Sequence, residues 1–199
     1  MSRYDAIDDC VYPGTDVLRN KADIQDQAAL DAFEADATAV RMLELLVQPI
    51  PGVFDLAHLC ALHRHLFQDV YEWAGEIRTV DISRDTSRFA NVSRIESYLG
   101  GVLRKLPAEN HLRGLPPEVF VARLAHYMGE INATHPFRDG NGRAQRLFCA
   151  LLAEQAGYFI DFESIDQGQM YSVMMSSFKG DAKPLEALLL NATSIVGGE

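Results

Sequence analysis

The chain has 199 residues, with 18 Lys or Arg against 28 Asp or Glu, for a formal net charge of −10. Hydrophobic residues make up 48% and charged residues 23%, with unremarkable Gly and Pro counts (14 and 8), which excludes disorder and collagen-like structure and leaves one compact domain with a sizeable core, 1–199. An overall acidic chain argues against general nucleic-acid binding, and no apolar run reaches the ~18 residues of a membrane-spanning helix.

The opening MSRYDAIDDC has no apolar core of the kind a secretory signal requires. Three scattered cysteines, Cys10, Cys60 and Cys149, argue against a disulfide framework or a cysteine zinc site, so a reducing, cytoplasmic setting is expected. Residues 26–47 carry Leu30, Phe33, Ala37, Val40, Leu43 and Leu46–Val47 at the spacing of a one-sided helix, ended by Pro49-Ile50-Pro51-Gly52. A second helix is expected over 55–70, with Leu56, Leu59, Leu62–His63, Leu66–Phe67 and Val70 on one side. His63 and His65 are two apart and do not face each other on a helix, so they make a poor metal pair; His63 is expected packed or hydrogen-bonded, and His65 exposed.

The stretch Glu76–Ile82 is rich in β-formers and is followed by polar Ser83-Arg84-Asp85-Thr86-Ser87 and then Arg88-Phe89-Ala90. It predicts a short hairpin over about 78–90, set between helices and leaning on them or on a partner. Helices follow over 93–105, 117–133, about 141–156, 164–177 and 183–195; Pro116-Pro117 suits the first turn of one and Gly157 the end of another. The fold class is therefore mainly α with one short hairpin. The charge along this order is uneven: residues 78–146 carry eleven basic against seven acidic residues, and every other segment is net negative. A basic island in an acidic chain points to a bound anion.

Between two of these helices lies His135-Pro136-Phe137-Arg138-Asp139-Gly140-Asn141-Gly142-Arg143-Ala144-Gln145-Arg146. Gly140, Asn141 and Gly142 can turn consecutive backbone N–H groups toward one point, and the helix that follows adds its dipole, which together make an anion site. Arg143 and Arg146 are three apart and project from one side of the first turns, as two forks for a polyphosphate. Asp139 offers a carboxylate to a Mg²⁺ ion bridging phosphate oxygens. His135 is the residue here that can take a proton near neutral pH, and Phe137 is expected to plug the core. The Walker pattern GxxxxGK[ST] is absent.

The segment resembles the signature of the Fic family, HPFx[DE]GN[GK]RxxR, at every specified position. Tyr12–Asn20, His63–Arg78, and Gly180-Asp181 with Pro184-Leu185 resemble further parts of the same family. The resemblance implies a mainly helical Fic fold with the hairpin as its flap, and transfer of AMP from ATP to a hydroxyl of a target protein. By that resemblance His135 is the general base and Asp139 holds Mg²⁺. Asn141, with the Gly140 and Gly142 backbone, cradles the α- and β-phosphates, while Arg143 meets the β- and Arg146 the γ-phosphate. Gly142 matches the AMP-transferring members rather than those with lysine there. The flap would register the target by strand addition, with Arg84, Arg88 and Arg94 as candidate selectors. Relatives of this kind are held inactive by a helix bearing [ST]xxxE[GN], and no Ser or Thr here has Glu four positions later. A small separate antitoxin protein is therefore implied, with the ATPase subunits of type II topoisomerases (gyrase, topoisomerase IV) as favoured targets. Transfer of another nucleotide, phosphocholine or phosphoryl group, or a silent protein-binding scaffold, are the competing readings.

Overall fold

A computed structural model describes residues 10–84 and 87–196. The hairpin tip Asp85–Thr86, the first nine residues and the last three lie outside the described residues. In chain order the elements are α1 (Gln27–Val47), α2 (Leu56–Phe67), β1 (Ser83–Arg84), β2 (Ser87–Arg88), α3 (Ile95–Leu103), α4 (Pro117–Thr134), α5 (Asn141–Ala156), β3 (Tyr158–Ile160), α6 (Gln167–Phe178), α7 (Lys183–Asn191) and β4 (Thr193–Ile195). The mainly helical class and the short antiparallel hairpin are both as the sequence predicts. Among the described residues, no helix is long and apolar enough to cross a membrane.

The chain forms two compact units. The first comprises the residues up to Ile95 together with His135–Ala144. Its α1 starts at Asp26, whose carboxylate accepts the Ala29 N–H at 2.9 Å, and α2 starts at Asp55, which accepts the His58 N–H at 2.8 Å. Arg41 of α1 grips Asp69, just past α2, with Nε at 2.6 Å and Nη2 at 2.8 Å. That bidentate pair pulls the Asp69 carboxyl below its ordinary range. His65 is half-buried rather than exposed, because its Nε2 bonds the Arg41 carbonyl at 2.8 Å on the same α1–α2 seam.

The α1 stripe differs from the expectation. Leu30 is buried, but Val40, Leu43, Leu46 and Val47 are 57, 65, 80 and 81% exposed. The buried positions are Leu30, Glu34, Thr38 and Leu45. Two polar side chains four residues apart set the inward face, and they are chosen by their partners rather than by hydrophobicity (below). The hairpin also sits later than its β-formers suggest. Glu76–Ile82 is irregular, and the pairs are Ser83 with Arg88 and Arg84 with Ser87.

The second unit comprises Glu96–Thr134 and Gln145–Glu199, of which residues 96–134 and 145–196 are described. Its centre is α4, where Phe120, Val121, Leu124, Ala125, Tyr127, Met128 and Ile131 are each at most 1% exposed. A helix apolar on so many sides must be covered all round, and α6 and α7 pack on it. Met170 and Met174 of α6 are buried as a packing stripe, and so is Cys149, whose thiol is pushed up to about 12 by burial. The last predicted helix stops at Asn191; Thr193–Ile195 instead pairs antiparallel with Tyr158–Ile160. Arg123 holds Glu109 at 2.8 and 2.7 Å, and the Tyr127 hydroxyl adds a third bond at 2.7 Å. Burial and that carboxylate push the Tyr127 phenol up to about 12.

Phe120 is fully buried and stacks on Tyr158 with ring centroids 4.2 Å apart. Phe120→Ala should lower unfolding stability by about 3–5 kcal/mol. Urea denaturation followed by circular dichroism measures this.

Candidate active site

The loop His135–Gly140 is buried along its whole length, unusual for a connection, and it delivers the chain into α5. Backbone groups buried in a loop must find partners, and this loop finds them in Asn141, His63 and Arg78, with a ring contact as a fourth anchor. Asn141 closes the loop on itself: its Oδ1 accepts the Phe137 N–H at 2.9 Å and its Nδ2 donates to the Phe137 carbonyl at 2.8 Å. What Asn141 offers an anion is therefore its backbone N–H. His63 of α2 is fully buried and lies 3.8 Å from the Phe137 ring in a stack. Its Nδ1 accepts the Gly75 N–H at 2.9 Å, which fixes Nε2 as the protonated nitrogen, and Nε2 donates to the Asp139 carbonyl at 3.0 Å. Burial, helped by the Arg143 charge, lowers His63 to about 4 and keeps it neutral. Phe137 is fully buried, the plug the sequence predicts.

The third anchor is Arg78, whose side chain is fully buried. Its Nε donates to the His135 carbonyl at 2.8 Å, and its backbone N–H donates to the Pro136 carbonyl at 2.9 Å. Its Nη1 and Nη2 reach the carbonyls of Val80 and Ala90, each at 2.5 Å. One guanidinium thus ties both approaches of the hairpin to the loop. Burial lowers the Arg78 pKa from its ordinary value while the nearby Asp81 opposes the shift. The fourth anchor is a ring contact: Phe89, following β2, stacks on the His135 imidazole at 3.8 Å and 16°.

His135 itself sits at φ +46°, in the left-handed region that a histidine rarely adopts. Gly140 sits at φ +76°, and a Cβ there would lie 2.4 Å from the Phe67 ring and 3.0 Å from His63 Nε2. Only glycine fits both the angle and the space. The Gly140 carbonyl accepts the Ala144 N–H at 3.1 Å, so Gly140 is the N-cap of α5. The backbone N–H groups of Asn141, Gly142 and Arg143 are then the first of the helix and have no carbonyl within it to bond. They open at the positive end of the α5 dipole.

Asp139 is 6% exposed, and its Oδ1 accepts the Gly140 N–H at 2.6 Å. Among the described residues no three His, Cys, Asp or Glu side chains are grouped to hold a metal. One carboxylate beside an anion cradle suits Mg²⁺, which commonly takes one or two protein carboxylates and completes its shell with phosphate oxygens and water. Arg143 lies on the first turn of α5, its Cζ 4.6 Å over the Phe67 ring, paired with Glu34 and 3.3 Å from Thr38 Oγ1. Arg146 is half-buried three positions further along the same helix. The site-bearing unit therefore unites His135, Asp139, Gly140, Asn141, Gly142 and Arg143. Glu34 and Tyr71 lie outside the 135–146 motif, and Arg78 and Phe89 stand in the sequence only as parts of the hairpin stretch. Glu34 was detectable as a carboxylate four residues from Leu30 and from Thr38, on the inward face of α1.

The sequence profile of the Fic/DOC family matches residues 53–153. The chain is 43% identical over 190 residues to protein adenylyltransferase VbhT of Bartonella schoenbuchensis, covering 95% of this chain and 40% of that protein. It is 42% identical over 189 residues to the probable protein adenylyltransferase y4lH of Sinorhizobium fredii, covering 94% of this chain and 97% of that protein. Its fold is similar to the crystal structure of the BepC protein, a VirB-translocated effector of Bartonella tribocorum, with bound AMPPNP. That similarity has a TM-score of 0.87 at 29% identity and covers 94% of this chain and 96% of the other.

The buried imidazole makes stability pH-dependent. Unfolded, His63 titrates near 6.5; folded, it titrates at about 4. Between those values the unfolded chain binds a proton that the folded chain refuses. The contribution of His63 is fully present above pH 6.5 and is lost as the pH falls toward 4. His63→Gln keeps a donor without the titration, and should flatten the stability slope between pH 6.5 and 4.5 by up to about 1.4 kcal/mol per pH unit. Denaturant midpoints across that range, compared with the parent protein, measure the difference.

Proposed function

The chain belongs to the Fic/DOC family, and on that premise we propose that it is a protein adenylyltransferase, moving AMP from ATP to a hydroxyl side chain of a target protein. The observation that carries the reading is a single buried loop. It presents a titratable imidazole, a carboxylate and the open first turn of a helix, and a polar hairpin is fastened to the same loop.

In this reading His135 takes the proton of the target hydroxyl as the oxygen attacks the α-phosphorus. A new P–O bond forms, the bond between the α-phosphorus and the α,β-bridging oxygen breaks, and pyrophosphate leaves. The N–H groups at the start of α5, including those of Asn141 and Gly142 behind the Gly140 cap, face the charge that builds on the phosphate oxygens. Arg143 meets the β-phosphate and Arg146 the γ-phosphate. Mg²⁺, held by Asp139 and the phosphates, would neutralise charge on the departing pyrophosphate. The hairpin strands hold two residue pairs, a short edge for an extended target segment to join. Exposed Arg84 and Arg88 lie on those strands and exposed Arg94 follows them in the chain, and the three bias the choice of target. The absence from this sequence of any Ser or Thr with Glu four positions on supports restraint by a separate antitoxin; the resemblance to such toxins adds a cytoplasmic site of action and type II topoisomerase ATPase subunits as the proposed targets.

Incubation with labelled ATP and a bacterial lysate should add the mass of AMP to a target peptide, as read by mass spectrometry; a bare phosphate would sink the proposal. His135→Ala should abolish the transfer while ATP binding persists, as measured by calorimetry. Arg78→Lys keeps the charge but not the fork that spans His135, Val80 and Ala90. It should reduce target modification by about tenfold or more and leave ATP affinity within about twofold. An equal loss of both would make Arg78 a structural residue only.

A further inference from the structure

Helix α1 commits two inward positions to polar residues, and both bond the same guanidinium. Glu34 is 2% exposed; its Oε1 accepts from Arg143 Nη2, and its Oε2 accepts the Tyr71 hydroxyl at 2.5 Å. Thr38 is 6% exposed and its Oγ1 accepts from Arg143 Nη1 at 3.3 Å. Tyr71 is itself 2% exposed, and its ring stacks on Trp73 at 4.3 Å. The face of Phe67 closes the arrangement from below, 4.6 Å from Arg143 Cζ. A carboxylate so thoroughly desolvated is unfavourable unless its charge is compensated and its lone pairs are filled. Here Arg143 supplies the charge and Tyr71 the second bond.

Nothing in helix formation asks for this. An apolar residue at position 34 would bury more readily, and it would leave Arg143 held only by the Thr38 hydroxyl and the Phe67 ring. We infer that Glu34 is a positioning residue for Arg143, holding the guanidinium in place before any nucleotide arrives. The inference rests on the proposed contact between Arg143 and the β-phosphate. About a quarter of the Arg143 side chain stays exposed (24%), so Glu34, Thr38 and Phe67 do not enclose it. An arginine offers five N–H donors in a fixed fork, enough to serve a carboxylate behind and a phosphate in front. Because the ordering is complete beforehand, binding a phosphate no longer has to immobilise a long side chain. The opposite role, a carboxylate that blocks the phosphate and must swing away, would require breaking the Tyr71 bond and stranding a buried charge.

The two roles give opposite results when the nucleotide is shortened by one phosphate. Calorimetric titration of the whole chain with AMP and with ADP, in the presence of Mg²⁺, reads the difference. Glu34→Gln should weaken ADP binding by about tenfold or more and leave AMP binding within about twofold. Tyr71→Phe, which frees Glu34 without removing it, should shift ADP in the same direction by a smaller factor, and it decides the matter if Glu34→Gln does not fold. Equal weakening of AMP and ADP, unchanged ADP binding, or tighter ADP binding would each overturn the inference. Arg143→Ala separates this failure from a deeper one. If it weakens ADP while Glu34→Gln does not, only the role of Glu34 falls; if it leaves ADP unchanged, the phosphate contact of Arg143 falls and the inference falls with it.

Discussion

Arg78 brings three backbone carbonyls of two different segments to one buried guanidinium, and the geometry of the site-bearing unit depends on that convergence. The bond to the His135 carbonyl is buried and those to the Val80 and Ala90 carbonyls are partly buried, so one guanidinium serves all three where water has reduced access. A lysine has three donors but all on one nitrogen at the end of a flexible stem, so it lacks the spread of the fork that spans them. The planar fork sets their spacing, and so it sets where the hairpin stands relative to the imidazole. Phe89 adds the reverse constraint by lying flat against His135. Hairpin and imidazole are thereby one mechanical object, although 57 positions separate Arg78 from His135 in the chain.

A second set of groups immobilises the other end of the loop. His63 spans Gly75 and Asp139 through its two ring nitrogens, and stacking on Phe137 and Phe67 holds its plane. Neutrality is what makes this work: a charged imidazole would have two donors and would turn an N–H against the Gly75 N–H. The same burial that holds His63 neutral makes it useless as a proton carrier, so His63 and His135 divide their labour by environment. His63 is a fixed bridge, whereas the task proposed for His135 is to exchange protons. Gly140 lets the loop pass within reach of both His63 and Phe67.

Local signals in the sequence were strong where local physics decides. The 135–146 segment is contiguous, its glycines and arginines act through near neighbours, and the helices on either side have clear periodicity and stop signals. The long helices were accordingly legible to within a few residues. What failed was decided at a distance. Glu76–Ile82 has the composition of a strand, but Arg78 spends its backbone N–H on Pro136 and its side chain on three carbonyls, so pairing moved downstream to Ser83–Arg88. The apolar stripe of α1 suggested one face, but Glu34 and Thr38 answer to an arginine more than a hundred positions later, and they rotate the inward face away from Val40, Leu43, Leu46 and Val47. The end of the chain likewise continues as a strand because Tyr158–Ile160 is there to pair with it.

The left-handed backbone at His135 has a consequence of its own. An L-residue with a Cβ is disfavoured there by about 1 kcal/mol relative to a residue with none, and φ +46° would suit glycine without strain. Thermodynamics and chemistry therefore ask for different residues at one position. The fold would rest more comfortably with no side chain there, whereas the reaction proposed for it depends on an imidazole. The carbonyl grip of Arg78 and the ring of Phe89 are what keep the uncomfortable choice in place. The site is in that sense held under tension, and the group proposed to exchange protons stands where the backbone would prefer no side chain.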